Sequence, residues 1–297
     1  DTGSSIGGGA INLTAKSVLV DDSSLRSGDS KEGGGPITID AVDSIKIANN
    51  STLTSQTFGG GDSGDIILDG DVISLLDSTI ISRTLDEGNA GQVKITANSS
   101  FLADNSEILS TVGNELESNQ AIGSGGFIDI TTGSFSAING TKLRSSTLRE
   151  GNAGNVKITA PDGVLFSSES GVLSQVEETA RGNGGNIDIT TDSLYLSENA
   201  ELTSSTSGFG KAGDINLITK NLTLASGGKI SATANETASE GKAGTITVTA
   251  DRVNLSGENS GLFAQTLGNL SAGELKLQPN QDVQSLIVNL ADKLLRS

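Results

Sequence analysis

Apolar residues in this chain occupy every second position in short clusters, and the clusters return at a regular interval. Ten of them share one form, an apolar pair around a polar residue with a glycine two positions ahead. The series runs Ile11/Leu13, Ile37/Ile39, Ile66/Leu68, Val93/Ile95, Ile128/Ile130, Val156/Ile158, Ile187/Ile189, Ile215/Leu217, Ile246/Val248 and Leu275/Leu277, led by glycines from Gly9 to Gly273 that lie 26 to 35 residues apart. Alternation with period two marks strands, not helices. Each repeat carries three such clusters; one reads Ile187-Asp188-Ile189, Leu194-Tyr195-Leu196 and Leu202-Thr203-Ser204, then a Gly/Ser loop to Gly213. Strands this short cannot bury an apolar face alone. Stacked about 4.8 Å apart, each pairs in parallel with its copies above and below, and the apolar residues form an interior column. The pattern therefore predicts an all-β fold, a right-handed parallel β-helix (solenoid) of about ten three-strand coils over residues 1–281.

Length varies mainly after the third cluster, most of all over 111–125, which places a loop at one corner of the coil. The chain returns through Gly88-Asn89-Ala90-Gly91, Gly151-Asn152-Ala153-Gly154, Gly182-Asn183-Gly184-Gly185 and Gly241-Lys242-Ala243-Gly244, residues that tolerate left-handed backbone. No helix follows them, so they are turn residues, not a phosphate cradle. Alternate coils resemble each other better than neighbours do. In a parallel stack the outward residue of the first cluster would then form the column Lys94, Asp129, Lys157, Asp188, whose alternating charge fixes register. The third cluster's outward column runs Arg26, Thr54, Ile81, Leu109, Arg144, Leu173, Thr203, Ser231, Phe263, and its apolar members are expected either to form a strip for lateral packing or to lie beneath the corner loops. Beyond Pro279 the apolar residues Val283, Leu286, Ile287, Leu290 and Leu294 fall at helical spacing with Asp282 as N-cap, and predict a short amphipathic helix over 282–297 that caps the open coil.

Composition narrows function. The formal charge is −17, from 36 acidic and 19 basic residues, which excludes nucleic acid as a natural partner and disfavours anionic membranes. With no Cys and no His, thiolate and imidazole chemistry are absent. No apolar run approaches the roughly 20 residues of a membrane span, so membrane insertion is not expected. The opening Asp1-Thr2-Gly3-Ser4-Ser5 lacks a signal-peptide pattern and reads as a fragment or a processed chain.

The returns of the form Gly-Asn-(Ala/Gly)-Gly-x-(Ile/Val)-x-Ile-Thr-(Ala/Thr), with the Ser-Leu-x-Leu and Leu-x-Ser-(Ser/Ala) clusters after them, resemble the repeats of filamentous-haemagglutinin-like exoproteins of the two-partner secretion type, particularly the large cyanobacterial ones. The resemblance covers nearly the whole chain. It implies a right-handed β-helix, export through an outer-membrane partner pore, and an adhesive or matrix role at the cell surface. The family's amino-terminal secretion domain, with its Asn-Pro-Asn-Gly-type motif, is not matched here.

β-Helices also carry polysaccharide lyases and hydrolases, which need two or three convergent carboxylates beside a basic group. Asp21-Asp22 is the one adjacent Asp pair, Asp69 and Asp71 lie near Asp65 without a local basic cluster, and Arg26 and Arg144 stand several coils apart. Residues 59–66 resemble one copy of a nonapeptide calcium roll, and a single copy cannot complete a calcium cage. The sequence thus assigns no catalytic, cofactor-binding or metal-ligating residue and no cofactor. The expectation is a non-enzymatic structural and adhesive segment, secreted or on the cell surface, whose partners are further copies of itself or cell-surface and matrix carbohydrate. A carbohydrate-active β-helix is the alternative.

Overall fold

The structure is a computed structural model that describes residues 8–30, 32–113, 121–177, 180–235, 241–266, 271–279 and 287–290. Among these residues the protein is all-β, with no helix. Parallel strands stack coil upon coil into a β-solenoid of about nine turns, in one sheet of 13 strands and another of nine. The repeat spacing of the sequence is the coil: Ile11 lies beside Ile37, Ile37 beside Ile66, Ile66 beside Val93, and Val93 beside Ile128. Val156 continues the row between Ile128 and Ile187.

The three clusters of a repeat do not make three separate sheets. The first two run on as one long bent strand in most coils, such as Ile37–Ala48, Val93–Asp104 and Ile187–Leu196. Pairing slips at the bend, between Ala15 and Ser17, Asp40 and Ser44, and Ala97 and Ser100. The extra residues absorb the corner without ending the strand, as bulges do. Val156–Ala160 with Gly163–Phe166, Ile246–Thr249 with Arg252–Ser256, and Leu275–Gln278 with Ile287–Leu290 keep the two clusters as separate strands. The third clusters form the nine-stranded sheet, from Ser24–Ser30 to Gly261–Phe263.

The core is the column that alternation requires. Ile37, Ile66, Val93, Ile128, Val156, Ile187, Ile215 and Ile246 are all fully buried. Within it Phe101 stacks on Phe135 with ring centroids 5.1 Å apart, and Phe166 meets Phe135 edge-on at 5.6 Å, geometries that add to simple area burial.

A row of inward-pointing serines is clipped to the backbone. Ser55, Ser82, Ser110, Ser145, Ser174 and Ser204 form one column on the inner face of the second sheet. Each hydroxyl donates to the carbonyl of the glycine that opens its own coil: Ser55 to Gly35 at 2.9 Å, Ser110 to Gly91 at 2.8 Å, Ser174 to Gly154 at 3.0 Å and Ser204 to Gly185 at 2.9 Å. Several also accept from the glycine amide that opens the next coil, Gly64 to Ser55 at 2.8 Å and Gly213 to Ser204 at 2.8 Å. One side chain thereby ties two successive coils. Close approach explains the glycines: a Cβ at Gly151 would lie 1.9 Å from the Gly123 carbonyl, and Gly151 has φ 134°.

The end of the chain departs from expectation. Ile287–Leu290, inside the segment with helical spacing, is a strand, paired in parallel with Arg252–Ser256 through Arg252/Ile287 to Leu255/Leu290. It extends the second-cluster row beyond Arg252–Ser256, as Leu275–Gln278 extends the first-cluster row beyond Ile246–Thr249. An exposed parallel edge offers a partner to every second backbone amide of a docked strand, and a helix laid across would leave that edge unpaired. The rest of 282–297 lies outside the described residues.

Candidate functional surfaces

Three surfaces present chemistry. The first is the outward column of the long sheet. Lys94, Asp129, Lys157 and Asp188 occupy successive rungs in the register expected from sequence. Asp129 lies between Lys94 and Lys157 in the ladder, and its Oδ1 is buried without a hydrogen-bond partner. The column goes on to Asn216, whose amide donates to Asp188 Oδ1 at 2.8 Å.

The second is the return corner, where carboxamides and carboxylates step up the rod by accepting from the backbone one coil above. Asn89 N donates to Asp62 Oδ1 at 2.6 Å, Ser124 N to Asn89 Oδ1 at 2.9 Å, Asn183 N to Asn152 Oδ1 at 2.8 Å and Lys211 N to Asn183 Oδ1 at 3.0 Å. A parallel row joins Gln92 N to Asp65 Oδ1 at 2.7 Å, Asn186 N to Asn155 Oδ1 at 2.7 Å and Thr245 N to Asp214 Oδ1 at 2.7 Å. Between the two rows runs a shallow groove floored by Gly184, Gly213 and Gly244, with a cavity of about 420 Å³. The calcium-roll fragment at 59–66 belongs to this corner, and its Asp62 and Asp65 serve as rungs. Among the described residues no three His, Cys, Asp or Glu converge as a metal site.

The third surface is the outer face of the nine-stranded sheet. Its central column is the one expected, with Arg26, Thr54, Ile81, Leu109, Arg144, Leu173, Thr203, Ser231 and Phe263 in continuous register. Of the two fates for its apolar members, burial holds for Leu109 and Leu173, at 8% and 7% exposure. Small cores under the corner, Ala90 with Val112 and Ala121 and Ala153 with Val176 and Ala180, flank the same coils.

Charged groups gather on this face. Arg83 Nε donates to Thr111 Oγ1 at 3.4 Å. Burial holds the Arg83 guanidinium below its ordinary value, Glu107 pulls it back up, and the like charge of Arg144 lowers it further. Lys142 Nζ lies 3.3 Å from Glu201 Oε1 two coils away, reaching past Gly171, which stands between them in the ladder and has no side chain to intervene. Towards the far end a groove of about 440 Å³ is lined by polar side chains, among them Thr203, Lys229, Thr233 and Asn235, with Phe263 alongside.

The acidic residues weighed from sequence do not converge. Asp21 accepts from Asn49 Nδ2 at 2.6 Å and Asp71 from Ser99 Oγ at 2.6 Å, while Asp69 stacks beside Asp40 on an exposed row. Arg26 and Arg144 share a column four strands apart. Sequence reasoning missed the Arg83–Thr111–Arg144 grouping, because Arg83 stands two positions beyond the column it followed. A search of protein-family models, of curated proteins and of solved structures finds no match to this chain.

Proposed function

We propose that this chain is a non-enzymatic, structural and adhesive β-solenoid of a secreted or cell-surface exoprotein, akin to filamentous-haemagglutinin-like proteins exported by two-partner secretion. The observation that carries the reading is the ladder itself: strand pairing in the long sheet runs from Ile11 to Leu277, with the first clusters of successive coils in register throughout. Its first and last strands are each paired on one side among the described residues, and such edges take up another copy of the same chain. The coils are right-handed on this reading, as parallel crossovers within one sheet almost invariably are. Self-association, end to end or side by side, and binding to cell-surface or matrix carbohydrate are its modes of action, with an outer-membrane pore as the export partner.

Negative-stain microscopy of the purified chain, with and without calcium, together with a pull-down on polysaccharide matrices, tests the reading. Filaments or matrix retention are expected. Separate short rods at every concentration, with no retention, would overturn it. The polar groove beside Phe263 favours a second reading, a carbohydrate-active β-helix; release of new reducing ends or unsaturated sugars from polysaccharide would select it.

A further inference from the structure

Among the described residues four buried side-chain polar atoms have no hydrogen-bond partner, Asp129 Oδ1, Thr206 Oγ1, Arg144 Nε and Ser146 Oγ, and the last two lie together on the outer face of the nine-stranded sheet. Ser146 is 1% exposed although it points outward, and its Oγ has no hydrogen-bond partner; Arg144 Nε, two residues before it on the same strand, is likewise buried without one. The neighbouring strand places Thr111 beside Ser146 and Leu109 beside Arg144, and one strand further Arg83 lies beside Thr111, leaning on it through the 3.4 Å Nε–Oγ1 contact. Two guanidiniums and two hydroxyls therefore face one patch three coils tall.

We infer that this patch is a binding site for a single oxyanionic group, a carboxylate or a sulfate, held by Arg83 and Arg144 with Ser146 and Thr111 as neutral donors. Guanidinium forks match the planar or tetrahedral oxygens of such groups and bind them in pairs. Leu109 and Leu173, both buried, sit above and below Arg144 in the column, and apolar walls strengthen a charge-assisted hydrogen bond. Local charge favours an anion although the chain as a whole is strongly acidic. Lys142 pairs with Glu201, and Glu107 is a carboxylate that acts on Arg83. Burial holds the Arg83 guanidinium below its ordinary value, Glu107 raises it, and the like charge of Arg144 lowers it by less than Glu107 raises it, so the register and the unpartnered donors carry the inference. The inference goes beyond the rod reading and does not depend on it.

Isothermal titration of the full chain at low ionic strength tests it with three probes: sodium sulfate, an oligogalacturonate and a neutral dextran oligosaccharide. Saturable binding of sulfate, of the oligogalacturonate or of both is expected, weakening as salt rises, with none of dextran, and whichever probe binds identifies the group. Arg144→Gln and Arg83→Gln should each lower affinity about tenfold, while Lys157→Gln on the opposite sheet leaves it unchanged; circular dichroism confirms that each variant folds. No saturable binding of either anion, or equal binding by wild type and both arginine variants, would overturn the site. Filament formation is read separately, so failure here leaves the rod proposal standing.

Discussion

Ser204 illustrates how single side chains hold successive coils together. Its hydroxyl, fully buried, donates to Gly185 O and accepts from Gly213 N, so removing it strands an amide and a carbonyl away from water. Ser204→Ala is expected to destabilise the protein by about 1–3 kcal/mol, measured by urea unfolding, and to speed amide exchange at Gly213. Ala232 holds the next place in the same column, so one coil does without the clip; a single loss is survivable. The signal for these clips was present in the sequence as the serine that follows the third-cluster Leu, Ile or Val by two. Its role was not legible there, because an inward hydroxyl is recognisable only once the glycine carbonyl it reaches is located.

Among the elements, the long strands match the sequence reading in register and differ in their continuity. Period two placed Lys94, Asp129 and Lys157 on one column, and the ladder puts them there. Asp129→Lys would stack three like charges on adjacent rungs and is expected to cost about 0.2–1 kcal/mol for each new pair. The loss in melting temperature should shrink as salt rises, since the two lysines are exposed and screened; a loss independent of salt would mean that charge is not its cause. The bend that joins the first two clusters was hidden, because a bulge changes pairing and leaves the alternation on either side intact. At the end of the chain, spacing alone misled. Ile287 and Leu290 suit a helical face, and Ile287 and Val288 suit a strand equally well. The unpaired edge of Arg252–Ser256 decides between them, and an edge is a property of the stack that no local pattern displays. Arg83, Thr111, Arg144 and Ser146 were likewise distant in sequence and become neighbours only through three strands in register.

For the molecule as a whole, strand pairing joins each coil to the coils beside it, with Lys142 and Glu201 reaching across one more, so stability is chiefly a chain of nearest-neighbour terms and not one central core. Native-state hydrogen exchange should therefore grade along the rod, with amides of Ile11–Asp21 and Leu275–Gln278 opening at lower free energy than those of Ile128–Ile138. Uniform protection from end to end would instead mark a single cooperative unit. The phenylalanine stack from Phe101 to Phe166 lies in the protected middle.

The paired character of the coils also governs how such a molecule can grow by duplication. Copying two adjacent coils would lengthen the rod by about 10 Å, keep its cross-section, and set lysine next to aspartate again at the new junction. Copying one coil would bring lysine against lysine or aspartate against aspartate, and all sequence beyond the junction would inherit the wrong phase. Descent by even numbers of repeats is the arithmetic that the column from Lys94 to Asp188 imposes.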